Sequence, residues 1–197
     1  MASPDTHVMR AVILQVPEHW LAERRTTGED RRDECWDGVL HMSPFPSTAH
    51  QRLARELLET LEPLATARGW EVFYEIGVFD PSNGDNNNRG PDVTIVAPEY
   101  LSRRGVEGRA ELVIEVLSPY GESRDELPFF ATCEIPEVWL VDPGTRVAEV
   151  FVLTAGRYVT VEPDAAGVHH APLLGLALSV VAGPKLRIAS SARVVEI

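Results

Sequence analysis

The sequence predicts an α/β (α+β) protein in which a central mixed sheet is flanked by helices. Three observations carry that expectation. One early segment repeats leucine at helical spacing, and a second, weaker helical segment comes later. Short apolar segments rich in Val, Ile and Leu read as strands, and they arrive in twos. Turn formers separate them, which suits layers of helix and sheet around one core.

Taken in order, residues 1–10 read as a loose start. Residues 17–25 form a short helical stretch with Trp20 and Leu21 as apolar anchors, and residues 26–33 are charged and turn-like. Residues 34–42 read as two strands joined by a tight turn at Asp37–Gly38. Residues 43–47 break the pattern. Thr48 and Gln51 have capping-box spacing. Leu53, Leu57, Leu58, Leu61 and Leu64 then define one buried helix face, which Gly69 closes. Residues 70–79 alternate as a strand. Residues 80–90 are rich in Asp, Asn and Gly and read as a loop. Residues 93–97 and 112–117 are apolar strands, separated by a polar loop at 103–109. Residues 123–133 read as a helix that Pro128 kinks or delays. Residues 137–141 and 147–153 are strands joined at Asp142-Pro-Gly, and residues 158–162 add another. The rest is a weakly marked tail whose apolar part is 173–180.

The chain has 197 residues, 44% of them hydrophobic, which suits one soluble domain over 1–197 with its core at about 10–185. No apolar run approaches the ~20 residues of a membrane-spanning helix. No signal peptide is expected from the opening residues. Cys35 and Cys133 make neither a disulfide framework nor a zinc spacing, so a cytoplasmic location is the simplest expectation. Thirty acidic residues against 18 basic give a net charge of −12, which disfavours a general nucleic-acid binder but permits a local basic patch. Lys185 is the only lysine.

Two carboxylates stand out by their neighbours. Asp92 follows Gly90-Pro91 and opens an apolar strand. Glu115 lies inside Leu-Val-Ile-Glu-Val-Leu. A charge within such a strand is costly to bury without a partner. A divalent cation is one such partner, and Mg²⁺ takes one or two carboxylates and keeps several waters. Asp92, Glu115 and the carbonyl of Val116 could supply three oxygens on one side of an ion. The alternative is that Glu115 pairs with an arginine at a strand end and Asp92 is a turn residue.

Arg89-Gly-Pro-Asp-Val-Thr-Ile-Val96, Glu111-Leu-Val-Ile-Glu-Val-Leu-Ser-Pro119 and Ile135-Pro-Glu-Val-Trp-Leu-Val-Asp-Pro143 together resemble the core of a bacterial family. It is the Uma-two family of restriction-endonuclease-like proteins, a branch of the PD-(D/E)XK nuclease superfamily. Residues 33–44 resemble its opening hairpin, His50-Gln51 its next helix, and residues 172–178 its closing segment. The resemblance covers about residues 10–185. It implies a restriction-endonuclease-like fold and a Mg²⁺- or Mn²⁺-dependent endonuclease that hydrolyses phosphodiesters in DNA. Asp92 and Glu115 match the metal-holding acids, and Glu34 matches an acidic residue near the site.

The chain departs from the family at three positions. Aligned back from Ile135-Pro136, Glu126 falls where the family carries a lysine, Phe130 where it has Tyr, and Glu134 where it has Gly. Glutamate opposes the electrostatic role of lysine. Arg124 could supply charge but not act as a base. Glu126 could also hold a second metal or a water. Two functions therefore stand open: an endonuclease with Asp92, Glu115, Glu34 and Glu126 at its site, or a catalytically inactive nuclease scaffold that binds or regulates. A homodimer is a further expectation. His50 either faces the site or serves the helix cap. Tyr74 and Glu75 are neighbours of the site or ordinary strand residues. Trp36, Trp70 and Trp139 are expected in the core, and His169-His170 in a loop. Arg103, Arg104 and Arg109 form either a solvated loop or a phosphate contact. The pairs Arg24-Arg25 and Arg31-Arg32 are expected at the surface.

Overall fold

A computed structural model describes residues 17–28, 33–42, 45–118 and 122–197. The expectations for residues 1–10, and for Arg31 and Arg32, lie outside them. Helix α1 (Glu18–Thr27) ends at Gly28 in the left-handed region. None of its residues is buried, and Trp20 is 42% exposed, so the expected apolar anchoring is absent. Its tie to the fold is instead polar: Arg24 donates from two nitrogens to Asp33, at 2.9 and 2.6 Å.

Strands β1 (Asp33–Trp36) and β2 (Val39–Met42) form the expected hairpin. Asp37 and Gly38 take φ of 49° and 84°, as a type I′ turn requires. Helix α2 (Thr48–Thr66) follows. Its cap is Ser47 rather than Thr48: the Ser47 hydroxyl accepts from the His50 N–H at 3.2 Å. Gln51 is then free of a capping duty and donates to Glu75 at 3.3 Å. Leu53, Leu57 and Leu61 are fully buried, as the leucine spacing predicts. Each such burial is worth about 1.5–3 kcal/mol, so packing outweighs the cap in fixing this helix.

The segment expected as one strand at 70–79 is two. Strand β3 (Glu71–Tyr74) and strand β4 (Val78–Asp80) join different sheets, because Glu75 turns the chain at φ 49°. The expected loop at 80–90 contains strand β5 (Gly84–Arg89). Its Asn-rich sequence has poor strand propensity, but it pairs on both sides, with β1 and with β4. Asn side chains also bond the neighbouring backbone there, Asn88 to Cys35 and Asn87 to Asp37. Strand β6 (Val93–Val96) is wholly buried, and a 3₁₀ turn (Pro98–Tyr100) follows it. The loop at 103–109 holds a two-residue strand, β7 (Val106–Glu107). Strand β8 (Leu112–Val116) is again wholly buried. Helix α3 starts late, at Leu127–Thr132, with Pro128 in its first turn where proline is tolerated.

Strands β9 (Glu137–Val141), β10 (Ala148–Thr154) and β11 (Arg157–Thr160) complete a six-stranded sheet of order β11-β10-β9-β8-β6-β3. It is mixed: β8 and β9 run parallel, and the other pairs are antiparallel. Its two faces are both covered. α2 packs Leu53, Leu57 and Leu61 onto Val93, Ile95, Leu112, Ile114 and Trp139. On the other face, Phe129 and Phe130 of α3 pack with Val96, Val113, Val138 and Leu140. Val78 and Val106, from a second sheet of order β2-β1-β5-β4-β7, join them there.

The weakly marked tail is an antiparallel sheet. Strands β12 (His169–Ala171), β13 (Leu176–Val181), β14 (Lys185–Ala189) and β15 (Val194–Glu196) pair in order. Leu176, Leu178, Leu186 and Ile188 face the α2 core. The pair His169-His170, expected in a loop, therefore lies in a strand. His169 meets the Val161 carbonyl and His170 meets Asp164.

Glu137 fastens this sheet to the centre. It is 1% exposed, and its carboxyl accepts from the Trp139 indole N–H at 2.7 Å and the Leu173 N–H at 2.9 Å. Trp139 is thus core, as expected. Glu137→Ala would strand both donors, each at about 1–3 kcal/mol. Glu137→Gln keeps an acceptor and should cost less. Urea unfolding of the two variants against the parent checks the order: Ala well below Gln, and Gln below the parent.

Candidate active site

β6 and β8 pair with Val93 opposite Ile114 and Thr94 opposite Val113. Continuing that register by one residue sets Asp92 opposite Glu115, on the same face of the sheet. The Glu115 carboxyl is close enough to Asp92 for the Asp92 charge to raise it. Asp92 is fixed by its own contacts. Its Oδ2 accepts from the Val116 N–H at 2.8 Å, and its Oδ1 lies 2.7 Å from His50 Nε2. Its carbonyl accepts from the Glu75 N–H at 3.2 Å. The contact of Val116 with Asp92 is thus through its amide.

His50 has a double part. Its backbone N–H completes the α2 cap, and its ring, 7% exposed, faces Asp92. Both of the readings open in the sequence hold at once. Tyr74 ends β3 opposite Val93 and faces the α2 side of the sheet, away from this pair, whereas Glu75 bonds the Asp92 carbonyl.

Glu34 arrives from β1. Its Oε1 accepts from the Gly90 N–H at 2.8 Å and its Oε2 from the Trp36 indole at 2.7 Å. Glu126 arrives at the start of α3, held by the packing of Phe129 and Phe130. Asp92, Glu115 and Glu126 are all buried, at 8%, 8% and 7% exposure.

Arg89 is the cation of the site, and the sequence did not single it out. It is 4% exposed. Its guanidinium lies between the rings of Trp36 and Phe129, 4.1 and 4.3 Å from their centroids. Nη1 donates to the carbonyls of Cys35 and Asn88 and to Asn87 Oδ1. Trp36 in turn stacks on His41 at 4.0 Å, and His41 Nδ1 meets Glu122 at 2.9 Å. Trp36, expected in the core, is therefore part of a stack beside the acids. The one available signal for Arg89 was its place three residues before Asp92, where a buried acid cluster would need a counter-charge.

Burial first, then the charge of Glu126 and next of Asp92, pushes the Glu115 carboxyl well above the ordinary glutamate value. Burial and Glu34 do the same to Glu126, with Arg89 opposing. Burial also raises Glu34, against the Gly90 and Trp36 hydrogen bonds. Glu115 Oε1 and Glu126 Oε2 are buried without a hydrogen-bond partner. Orphaned carboxylate oxygens in a low-dielectric cluster fit a cation. Among the described residues, no three His, Cys, Asp or Glu side chains stand at ligand spacing around one point. Mg²⁺ does not need them, because two carboxylates suffice when waters fill the remaining positions.

The arginines of the 103–109 loop are engaged elsewhere. Arg104 donates twice to Glu107, holding that carboxyl down at about 2, and lies over Phe79. Arg109 stands 3.5 Å from Glu111. Arg124, the candidate for supplying charge near Glu126, pairs with Glu149. The one lysine, Lys185, sits exposed on β14 of the C-terminal sheet.

The sequence profile of the family described as "Uma2: Putative restriction endonuclease" matches residues 14–181. The chain belongs to the Uma2 family. Its mixed α+β fold agrees with that of solved structures. One, described as a "putative nuclease" from Anabaena variabilis, aligns at TM-score 0.56 and 19% identity, over 73% of this chain and 83% of that one. No curated protein matches. As a Uma2 protein the chain is nuclease-like, and no helix among its described residues is long and apolar enough to cross a membrane.

The raised carboxyls set a sign for pH. Unfolded, Glu115 and Glu126 release their protons near 4.5, but folded they hold them to higher pH. The folded state then binds more protons, so stability falls as pH rises from about 5 through their folded values. In chelator, the melting temperature of this Uma2 protein should decline over that window. Glu115→Gln should flatten the decline, and scanning calorimetry at stepped pH reads both. An unchanged slope in the variant would remove Glu115 as its source.

Proposed function

We propose that the protein is a Mg²⁺- or Mn²⁺-dependent endonuclease of the PD-(D/E)XK type that hydrolyses phosphodiester bonds in DNA. The observation that carries this reading is the cross-strand pairing of Asp92 with Glu115, beside two buried carboxylate oxygens that lack partners. Asp92 and Glu115, with the Val116 carbonyl, would hold the cation. When bound, it supplies Lewis acidity at a phosphoryl oxygen and makes a water more acidic. His50 orients Asp92 through Oδ1. Glu34 braces the Gly90 backbone that leads to Asp92. Arg89 offsets Glu34 and Glu126 and keeps the acid cluster from repelling itself apart.

Glu126 takes a different part from a lysine. It cannot stabilise negative charge developing on phosphate. Burial and Glu34 push its carboxyl up, so it would hold a proton more firmly than an ordinary glutamate, and its Oε2 has no competing partner. A second reading, a nuclease scaffold that binds or regulates without cleaving, draws on the same residue: glutamate stands where the family's lysine would.

Supercoiled plasmid with Mg²⁺ or Mn²⁺ separates them. The first reading expects nicking by the parent, loss in Asp92→Ala, and a drop of about 10²-fold or more in Glu126→Gln and Glu126→Lys. The second expects no nicking by the parent but measurable Mn²⁺ binding, and a gain of cleavage in Glu126→Lys.

A further inference from the structure

Nucleic acid must reach the acidic centre, yet the chain carries a net charge of −12. Several arginines are already engaged elsewhere. Arg24, Arg104, Arg109, Arg124 and Arg187 are each ion-paired to a carboxylate. Arg89 is walled between rings.

One surface differs. A groove of about 490 Å³ runs between α2 and the edge strand β3, lined by Gln51, Arg52, Arg55, Leu58 and Tyr74. Arg52 and Arg55 are exposed. They lie in the first two turns of a 19-residue helix, where the macrodipole adds partial positive charge. Among the described residues Arg52 forms no ion pair, and Arg55 forms one exposed pair with Glu59 at 3.5 Å. Such a pair is weak and yields to a stronger anion. Glu56, the next acid on the helix, is turned to Arg146 at 3.6 Å.

The groove abuts the candidate active site at one end. Gln51 follows His50, whose ring holds Asp92. Gln51 also donates to Glu75 at 3.3 Å, and the Glu75 N–H donates to the Asp92 carbonyl, so this end of the groove meets the edge of the sheet where Asp92 sits. Its floor, Leu58 and Tyr74, is apolar and aromatic, which suits sugar and base faces, while the rim is cationic, which suits phosphate.

We propose that this groove seats the sugar-phosphate chain of a nucleic-acid strand beside the scissile position, with Arg52 and Arg55 as its phosphate contacts. The inference rests on the nuclease reading and names where its substrate lies. DNA and RNA share the recognised chemistry.

The test measures anisotropy of labelled single-stranded DNA, duplex DNA and RNA of one sequence, with the full chain in EDTA, across a salt series. Plasmid cleavage in Mg²⁺ is followed in parallel. The double variant Arg52→Ala/Arg55→Ala should bind at least tenfold more weakly. Its log-affinity against log-salt slope should be shallower by about 2, one for each lost phosphate contact. Arg52→Lys/Arg55→Lys should recover most of the binding, and Arg187→Ala should bind as the parent does. Unchanged melting temperatures exclude misfolding, and the Lys pair keeps the test decisive if the Ala pair unfolds. Binding of RNA alone would keep the groove and name its occupant as RNA. If the Ala pair binds with the parent's affinity and slope while cleavage persists, the groove is refuted and the nuclease reading stands. If the parent neither binds nor cleaves, both fall.

Discussion

Burying Asp92, Glu115 and Glu126 in one place is the constraint on which the rest of the structure turns. Carboxylates out of water repel one another and lose hydration, and the penalty runs to several kcal/mol per ion. A fold tolerates that only where neighbours supply hydrogen bonds and counter-charge. Here the neighbours come from four separate elements. α2 brings His50 to Asp92, and β1 brings Glu34 and Trp36. The end of β5 brings Arg89, and α3 brings Glu126 and the ring that closes over Arg89. The second sheet has a purpose in this light: its strands β1 and β5 carry the counter-charge and its clamp to the acid-bearing face of the central sheet.

The central sheet can bear that cost because it is otherwise largely apolar: besides Glu115, the only polar or charged residues that β6, β8 and β9 bury are Thr94, a neutral hydroxyl, and Glu137, which is hydrogen-bonded. β6, β8 and β9 are buried along their whole length, with α2 on one face and α3 on the other. Close packing on both sides fixes the register, and a slip of one residue would turn Glu115 to the α2 face among leucines. The same register that is fixed for apolar reasons therefore delivers Glu115 beside Asp92. Stability of the sheet and geometry of the acids are one arrangement.

What the sequence revealed follows from this. β6, β8 and β9 were legible because their residues are apolar wherever they touch either layer, and α2 because its leucines recur on one face. Asp92 and Glu115 were legible as exceptions to those patterns. β5 was not, because Gly-Asp-Asn-Asn-Asn-Arg has the composition of a turn, and its strand form depends on partners more than fifty residues upstream in β1 as well as on nearby β4. The C-terminal sheet was faint for a related reason: its strands alternate buried and exposed residues in short lengths, so none carries more than two core side chains. Arg89 was missed since a buried arginine is defined by what surrounds it. Its rings, Trp36 and Phe129, lie 53 and 40 positions away in opposite directions.

The clamp on Arg89 bears on the meaning of Glu126. A lysine at that position would be a flexible point charge, able to lean toward phosphate. Arg89 cannot inherit that task, because two rings and three acceptors fix its plane, and its field is already spent on Glu34 and Glu126. Had lysine stood at 126, it would have met a buried guanidinium of like charge nearby, without the acid that now faces it. Arg89 and Glu126 are therefore complementary: the fixed cation makes a buried glutamate tolerable, and the glutamate makes a buried cation tolerable. The substitution is balanced inside the site rather than left as an isolated loss. The two groups stand at 4% and 7% exposure, where an apolar pair would pack at lower cost, so each depends on the charge of the other.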